Sequence, residues 1–277
     1  MSGTLYLVGT PIGNLGDLSP RAAEILSSVD FIAAEDTRVT LKLLNHLGVK
    51  KQLISYYEHN RIESAAVILP RLLAGESCAL VSDAGMPAIS DPGEELVRLC
   101  AEREIPVCAI CGPCAAITAL AVSGLPTGRF TFEGFLSTNK KSRRAHLAAL
   151  AGETRTMIFY EAPHKLTATL DDLKEAFGGE RKLALCRELT KLHEEIVRTT
   201  LAGAQALYAE TPPRGEYVLI VAGVEERKKE TLTLEDALAL VEKRTADGLS
   251  KKDAVREVAA ETGFPKNDLY AAAMKAN

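Results

Sequence analysis

Short apolar runs alternate with longer segments of helical spacing along the first half of the chain. Such runs predict buried strands at 5–8, 31–34, 53–56, 78–82 and 106–110. The segments between them place apolar residues three and four positions apart, which is typical of amphipathic helices. Strands that alternate with helices build a mostly parallel sheet covered by helices. The pattern therefore predicts an α/β domain in this half of the chain.

A second series begins after 124–128, a segment of glycine and proline that indicates a domain boundary. Its predicted elements are strands at 130–135, 155–160, 182–188 and 215–222, and helices near 140–151, 164–177 and 203–210. The charged segment 225–230 predicts a linker, and three short helices with helix-turn-helix-like spacing are expected beyond it. The predicted organisation is two α/β domains, 1–124 and 128–224, followed by a helical segment over 231–277.

Composition narrows the class of protein. The 277 residues are 47% hydrophobic and 25% charged with a net charge of −4, which is typical of a globular protein and not of a general nucleic-acid binder. No apolar run has the length of a membrane span, and no signal peptide is predicted. The six cysteines lie mostly in apolar patterns, which favours a reducing cytoplasm. Cys108, Cys111 and Cys114 have a spacing compatible with an iron–sulfur or zinc site, but buried small side chains are the favoured interpretation, and no metal is predicted.

The most informative segment is 81–93, which follows the predicted strand 78–82. Asp83 and Gly85 lie where that strand ends, the usual place for ligands in α/β sheets. Gly85 permits a close approach of backbone and ligand because it has no Cβ. Asp91 is predicted to cap the next helix with Pro92 at its first position. The alternative interpretation is an ordinary polar loop between strand and helix.

Two further loops are rich in glycine and small residues. The loop 9–17 lacks the glycine spacing of a dinucleotide site, so it predicts either another ligand site or a tight structural turn. The segment 111–116 follows the fifth predicted strand, and its small residues leave room for a flat adenosine group. Close packing of helix on sheet requires the same residue types and stays open as the alternative.

Charged residues follow several predicted strands. Glu35, Asp36 and Arg38 follow the second strand, and a carboxylate there could deprotonate a hydroxyl while Arg38 holds a phosphate. A helix cap at Asp36 with a solvated Arg38 is the structural alternative. Further charges lie at the strand ends of the second domain, which favours a functional cleft over an internal ion-pair network; they are Glu161, Glu188, Lys191 and Glu216.

A basic run over 140–144 predicts a surface where phosphates dock, although a solvated helix face is the common alternative. No acidic residue occurs between Glu133 and Glu153. The C-terminal helices give weaker support, because residues 230–277 hold seven Lys or Arg and nine Asp or Glu. A helix-turn-helix that reads DNA would normally be basic.

Taken together and in order, these motifs resemble the ribosomal RNA small subunit methyltransferase I family, of the tetrapyrrole-methylase-like class. The segments are GTPIGNLGD (9–17), AEDTR (34–38), VSDAGMPAISDPG (81–93), GPCAAITAL (112–120), SGLP (123–126), FEGFL (132–136), RTMIFYEAPHKL (155–166), RELTK (187–191) and RGEYVLIVAG (214–223). The resemblance implies a cleft between two α/β domains that binds S-adenosylmethionine. It implies methyl transfer to the ribose 2′-hydroxyl of a cytidine in the decoding region of small-subunit (16S) ribosomal RNA, either free or in the 30S subunit, by a homodimer.

The resemblance also assigns residues. Cofactor contacts fall to Pro11, Ile12, Asp83, Ala84, Gly85, Met86, Pro87, Gly112, Cys114, Ala115, Ala116, Tyr160 and Glu216. The chain departs from the family pattern at four positions: Met86 replaces a threonine, Cys111 and Ser137 each replace a proline, and Lys165 replaces an arginine. None of these changes removes a carboxylate or a glycine from the motifs.

Methyl transfer to a weakly acidic hydroxyl needs a base near the reacting oxygen. Asp36 and Glu161 are the favoured candidates, Glu35 and Glu188 are the others, and Lys191 could stabilise negative charge. Phosphate contacts are predicted for Arg38, Lys140, Lys141, Arg143 and Arg144. Two alternatives stay open: a methylase of tetrapyrrole-like macrocycles, and a non-catalytic RNA-binding assembly protein.

Overall fold

A computed structural model describes residues 2–210, 212–224 and 233–275. The chain divides into two compact units, one that ends at Val224 and one that holds the C-terminal helices. The predicted linker 225–230 lies outside the described residues. Within the described ranges, no helix is both long and apolar enough to span a membrane.

The first sheet is parallel throughout, as the alternation of strands and helices predicts. Its strands are β1 (Leu5–Val8), β2 (Phe31–Ala34), β3 (Gln52–Ser55), β4 (Cys78–Val81) and β5 (Val107–Ile110), in the order β3-β2-β4-β1-β5. The helices that cover it are α1 (Pro20–Ser28), α2 (Thr37–Leu47), α3 (Arg61–Leu73) and α4 (Glu94–Glu102), and α5 (Ala115–Val122) follows β5 in the chain. Buried residues on both faces of β2 and β4 pack against these helices. Because the strands are parallel, their carboxyl ends lie at one edge of the sheet.

The second sheet is mixed. Its strands are β6 (Phe130–Phe135), β7 (Thr156–Glu161), β8 (Lys182–Arg187), β9 (Glu195–Thr200) and β10 (Tyr217–Val221), in the order β6-β7-β10-β8-β9. Only β6 and β7 pair in parallel, and the other pairs in this sheet are antiparallel. Its helices are α6 (Lys140–Leu150), α7 (Pro163–Phe177) and α8 (Leu201–Leu207). The sequence prediction missed β9, because this edge strand carries Glu195 and Arg198 and is buried only in part.

Helix α5 connects the two sheets. Its residues Ala116, Ala119 and Leu120 pack in one buried cluster with Ile158 of β7 and Ile220 of β10. The helix that follows β5 in the chain thus packs on the second sheet, and both sheets belong to one compact unit.

The C-terminal unit contains α9 (Leu234–Ala246), α10 (Lys251–Thr262) and α11 (Lys266–Lys275). Helix α9 begins with a capping box in which Thr233 and Asp236 satisfy each other's backbone amides. Gly263 ends α10 in a left-handed conformation, and the three helices enclose a small core of their own.

Candidate active site

The loops after β1, β4 and β5 are joined by backbone contacts at the carboxyl edge of the first sheet. Thr10 and Gly85 exchange backbone hydrogen bonds of 2.9 and 3.1 Å. Gly9 and Gly112 pack so closely that a Cβ built on either would lie 2.7 Å from the Cα of the other. These contacts hold the three loops in one arrangement.

The loop 83–93 departs from the predicted helix start. Asp91 does not cap α4; the cap position is Gly93, and the helix begins at Glu94. Gly93 has φ of 147°, and a Cβ there would lie 2.8 Å from the side chain of Leu80. The chain therefore turns at the glycine that fits this conformation, and the Asp91 side chain faces the cleft instead.

A cleft of about 530 Å³ lies between the carboxyl edge of the first sheet and the ends of β7, β8 and β10. This volume is within the range of small-molecule and cofactor sites. Apolar side chains form part of its wall; they include Ile12, Met86, Ala115, Leu189 and Val218. The acidic residues of the wall are Glu35, Asp83, Asp91, Glu161, Glu188 and Glu216. The cleft is therefore an apolar space with a carboxylate-rich border.

Two of these carboxylates connect the ends of β2 and β4. Glu35 accepts a hydrogen bond from the amide of Asp83 at 3.2 Å, and Asp83 accepts one from the amide of Asp36 at 3.0 Å. Burial raises the pKa of Glu35 above its ordinary value. Burial, together with the nearby charge of Glu35, raises the pKa of Asp91 to about 6. On this side of the cleft, the ionised forms of Glu35 and Asp91 are therefore disfavoured.

A single lysine joins two carboxylates on the opposite side. The Nζ of Lys191 lies 2.9 Å from Glu188 and 2.7 Å from Glu216. The hydrogen bond from Lys191 holds the pKa of Glu188 below its ordinary value. Gly13 and Gly215 have no Cβ, which leaves room for the side chains of Lys191 and Glu188. These ion pairs hold the ammonium group of Lys191 at the border of the cleft.

Glu161 lies in the wall of the cleft but is only 4% exposed. It accepts hydrogen bonds from the amide of Ala162 at 2.9 Å and from the hydroxyl of Thr169. Arg143 donates to Thr169 at 2.7 Å and pairs with Asp172. Both oxygens of Glu161 are thus engaged in holding β7 against α7 and α6.

Several predicted site residues lie elsewhere. Asp36 caps α2 and pairs with Arg38, which lowers the pKa of Asp36 to about 2; it does not line the cleft. The Arg143 side chain points inward to Asp172 and is 12% exposed, so it is not part of a basic surface. Lys140, Lys141 and Arg144 are exposed at the start of α6. Four predicted cofactor residues lie outside the cleft lining, namely Pro11, Pro87, Gly112 and Ala116.

The cleft also holds residues that the sequence prediction did not include as site residues. Asp91, His164 and Phe135 line it. The signal for Asp91 was present in the same polar loop as Asp83, but its position before proline favoured a helix cap. His164 at the start of α7 and Phe135 at the end of β6 were inside quoted motifs, and only the folded arrangement shows that both line the cleft.

Tyr160 links the two halves of the cleft. Its hydroxyl accepts a hydrogen bond of 3.2 Å from the amide of Ala116, at the start of α5. Phe132 and Phe135 meet its ring edge-on, and burial raises the pKa of Tyr160 to about 12. The side chain therefore serves as a neutral acceptor between the sheets.

We expect Tyr160→Phe to destabilise the protein by about 1–3 kcal/mol, because the amide of Ala116 loses its partner. Affinity for the expected cofactor, S-adenosylmethionine, should fall several-fold, since α5 would be held less firmly. Thermal unfolding and calorimetric titration measure both effects. The matched control is Tyr57→Phe, whose ring is exposed; equal behaviour of the two variants would contradict this role for Tyr160.

Comparison with known proteins adds independent findings. A model of the tetrapyrrole (corrin/porphyrin) methylase family matches residues 4–205, and one described as the RsmI C-terminal HTH domain matches residues 232–277. The ribosomal RNA small subunit methyltransferase I of Synechocystis sp. is 50% identical, covering 97% of this chain and 96% of the relative. The protein of the same name from Escherichia coli O157:H7 is 45% identical, covering 99% and 95%.

Solved structures share the fold at lower identity. The methyltransferase CobJ is 20% identical with a TM-score of 0.59, covering 80% of this chain and 95% of that chain. A uroporphyrin-III C-methyltransferase from Thermus thermophilus, complexed with S-adenyl homocysteine, is 19% identical with a TM-score of 0.55, covering 79% and 97%. These likenesses establish the architecture of the two sheets.

Proposed function

Because the chain belongs to the ribosomal RNA small subunit methyltransferase I family, within the tetrapyrrole methylases, we propose that it methylates small-subunit ribosomal RNA. The methyl donor is S-adenosylmethionine, and the acceptor is the ribose 2′-hydroxyl of a cytidine in the decoding region. The observation that carries this proposal is the cofactor-sized cleft in which carboxylates border an apolar wall at the carboxyl edge of the first sheet.

The residues of the cleft fit the chemistry of S-adenosylmethionine. Ala84 and Ala115 are small, and Gly85 has φ of 87° and lies in the wall, so backbone can approach a flat adenosine group. Carboxylates suit the positive charges of a sulfonium and an ammonium group. Ile12 and Val218 supply apolar surface on opposite sides.

When bound, S-adenosylmethionine supplies a methyl group activated by the sulfonium. The chain must hold the ribose oxygen in line with that methyl group, and positioning of this kind can contribute on the order of 7–11 kcal/mol. Lys191 is placed to favour negative charge that develops on the oxygen. Glu35, Glu161 and Glu188 lie in the same cleft as candidate bases, whereas the geometry disfavours Asp36.

The exposed basic residues at the start of α6 support contact with RNA phosphates. Lys140, Lys141 and Arg144 face solvent there, and Arg38 is exposed at the start of α2. RNA in the small subunit is therefore the proposed partner, as free RNA or in the assembled 30S subunit. With such a substrate, the protein is proposed to act in the cytoplasm, with the ribosomes.

A homodimer is part of the proposal. Helix α3 exposes Ile62, Val67 and Leu73, whose side chains would be shielded from water by a second copy of the chain. Analytical ultracentrifugation tests this part, and a monomer at micromolar concentration would contradict it.

Labelled S-adenosylmethionine incubated with unmodified 30S subunits tests the function. We expect label on a ribose 2′-oxygen, located by nuclease digestion and mass spectrometry of the RNA. Naked 16S RNA and a macrocyclic tetrapyrrole serve as competing acceptors. Transfer to the macrocycle alone would overturn the RNA assignment, and cofactor binding without transfer to any of the three would overturn the reaction.

A further inference from the structure

Asp91 occupies the boundary between two cavities. It lines the main cleft and also a second cavity of about 330 Å³. The second cavity is bordered by exposed side chains, among them Glu58, Glu94 and Arg98, so it reaches solvent. A group at this position can contact a ligand in the cleft and exchange a proton with water behind it.

The other cleft carboxylates already have structural partners. Glu35 and Asp83 accept backbone amides that join β2 to β4. Glu161 has both oxygens engaged, and Glu188 is held by Lys191 and by the amide of Glu216. For Asp91, a polar contact with the hydroxyl of Ser82 lowers its pKa, and that hydroxyl also donates to the carbonyl oxygens of Ala84 and Gly85.

The backbone next to Asp91 is strained. Ala88 and Ser90 have φ of 67° and 62°, in the left-handed region that residues with a Cβ seldom adopt. Conformations of this kind cost on the order of 1–3 kcal/mol each and are retained where the surrounding structure or a function requires them. Here they direct Asp91 into the cleft rather than onto the end of α4.

We propose that Asp91 is the general base of the reaction, an assignment that rests on the proposed function. The O–H bond of the ribose hydroxyl breaks, and its proton passes to an oxygen of Asp91. The ribose oxygen forms a bond to the methyl carbon, and the carbon–sulfur bond breaks with its electron pair remaining on sulfur. The products are the methyl ether, neutral S-adenosylhomocysteine and protonated Asp91, which releases its proton to water through the second cavity.

The electrostatic surroundings suit this role. Glu35 and Asp83 face Asp91 from the ends of β2 and β4, and Tyr160 faces it from β7. The second cavity is also lined by Arg61 and Arg98 and by the carboxylates Glu58, Glu94 and Glu95. Burial and the neighbouring carboxylates raise the pKa of Asp91 to about 6, so it is ionised at neutral pH and still accepts a proton readily.

The test compares wild type, Asp91→Asn and Asp91→Glu in single-turnover methyl transfer to 30S subunits. We expect Asp91→Asn to be about 10²–10⁴-fold slower, with S-adenosylhomocysteine binding within a few-fold of wild type. Asp91→Glu should recover part of the rate. The wild-type rate should rise with pH through about pH 6, and Asp91→Asn should lack this rise.

A second readout, thermal unfolding, does not depend on the catalytic assay. Because the native pKa of Asp91 is raised, its ionisation costs stability as the pH rises through about 6, so Asp91→Asn should melt at a higher temperature than wild type at pH 8. Glu63→Gln, an exposed residue of α3, is the charge-matched control and should match wild type in rate. An Asp91→Asn rate near wild type would overturn the assignment alone. A wild type without transfer would overturn the proposed function and this assignment together.

Discussion

Replacement of Gly112 by alanine should lower affinity for S-adenosylmethionine by at least about 100-fold, a loss of roughly 3 kcal/mol. A Cβ at Gly112 would lie 2.7 Å from the Cα of Gly9 and 2.8 Å from its carbonyl oxygen. Both contacts are with backbone, so no rotation of a side chain relieves them. The loops after β1 and β5 must separate, and the exchange of hydrogen bonds between Thr10 and Gly85 is disturbed with them.

Isothermal titration with S-adenosylmethionine and S-adenosylhomocysteine measures the loss, and thermal unfolding separates it from global destabilisation of about 1–3 kcal/mol by overpacking. Gly128→Ala is the matched control, because a Cβ there meets nothing within 4 Å. We expect the control to bind as wild type does. Wild-type affinity in Gly112→Ala would mean that the loops relax without affecting the cleft.

The elements of the first sheet could be predicted because its central strands are apolar along their whole length. All four residues of β2 and of β4 are buried, and their sequences show this as continuous apolar runs. Strand β9 gives no such signal, since an edge strand with one solvated face tolerates Glu195 and Arg198. The antiparallel pairing of β10 with β7 and β8 joins segments that are distant in the chain, which hydrophobic periodicity does not encode.

Some residues of the candidate site could also be predicted from the sequence, and others could not. Glu35, Asp83 and Gly85 could be placed in the cleft because they follow adjacent parallel strands whose carboxyl ends share an edge. The local rule that places aspartate before proline at a helix start was wrong for Asp91, because the packing of Gly93 against Leu80 sets the start of α4. Arg143 has the sequence context of a surface charge, but its partner Asp172 lies 29 residues away.

Replacement of Lys191 by methionine should reduce turnover by about 10²–10³-fold, the loss typical of removing one group that stabilises developing negative charge. Lys191 is the cation between Glu188 and Glu216, at 2.9 and 2.7 Å, and methionine preserves much of the stem that packs over Gly13. Without the ammonium group, two carboxylates face each other at the border of the cleft. Negative charge on a reacting oxygen would then meet repulsion in place of attraction.

The same substitution has a predicted pH signature. Lys191 holds the pKa of Glu188 below its ordinary value, so ionised Glu188 stabilises the wild type at neutral pH, and this contribution is lost as the pH falls through the native pKa. Chemical denaturation across pH 3–8 should therefore show the largest difference between wild type and variant near neutrality and convergence in acid. Lys174→Met, which removes an ammonium group bonded to the neutral Gln205, is the matched control. A Lys191→Met variant that loses turnover while its stability parallels wild type at every pH would place the lysine's role in contact with the substrate rather than in fixing Glu188.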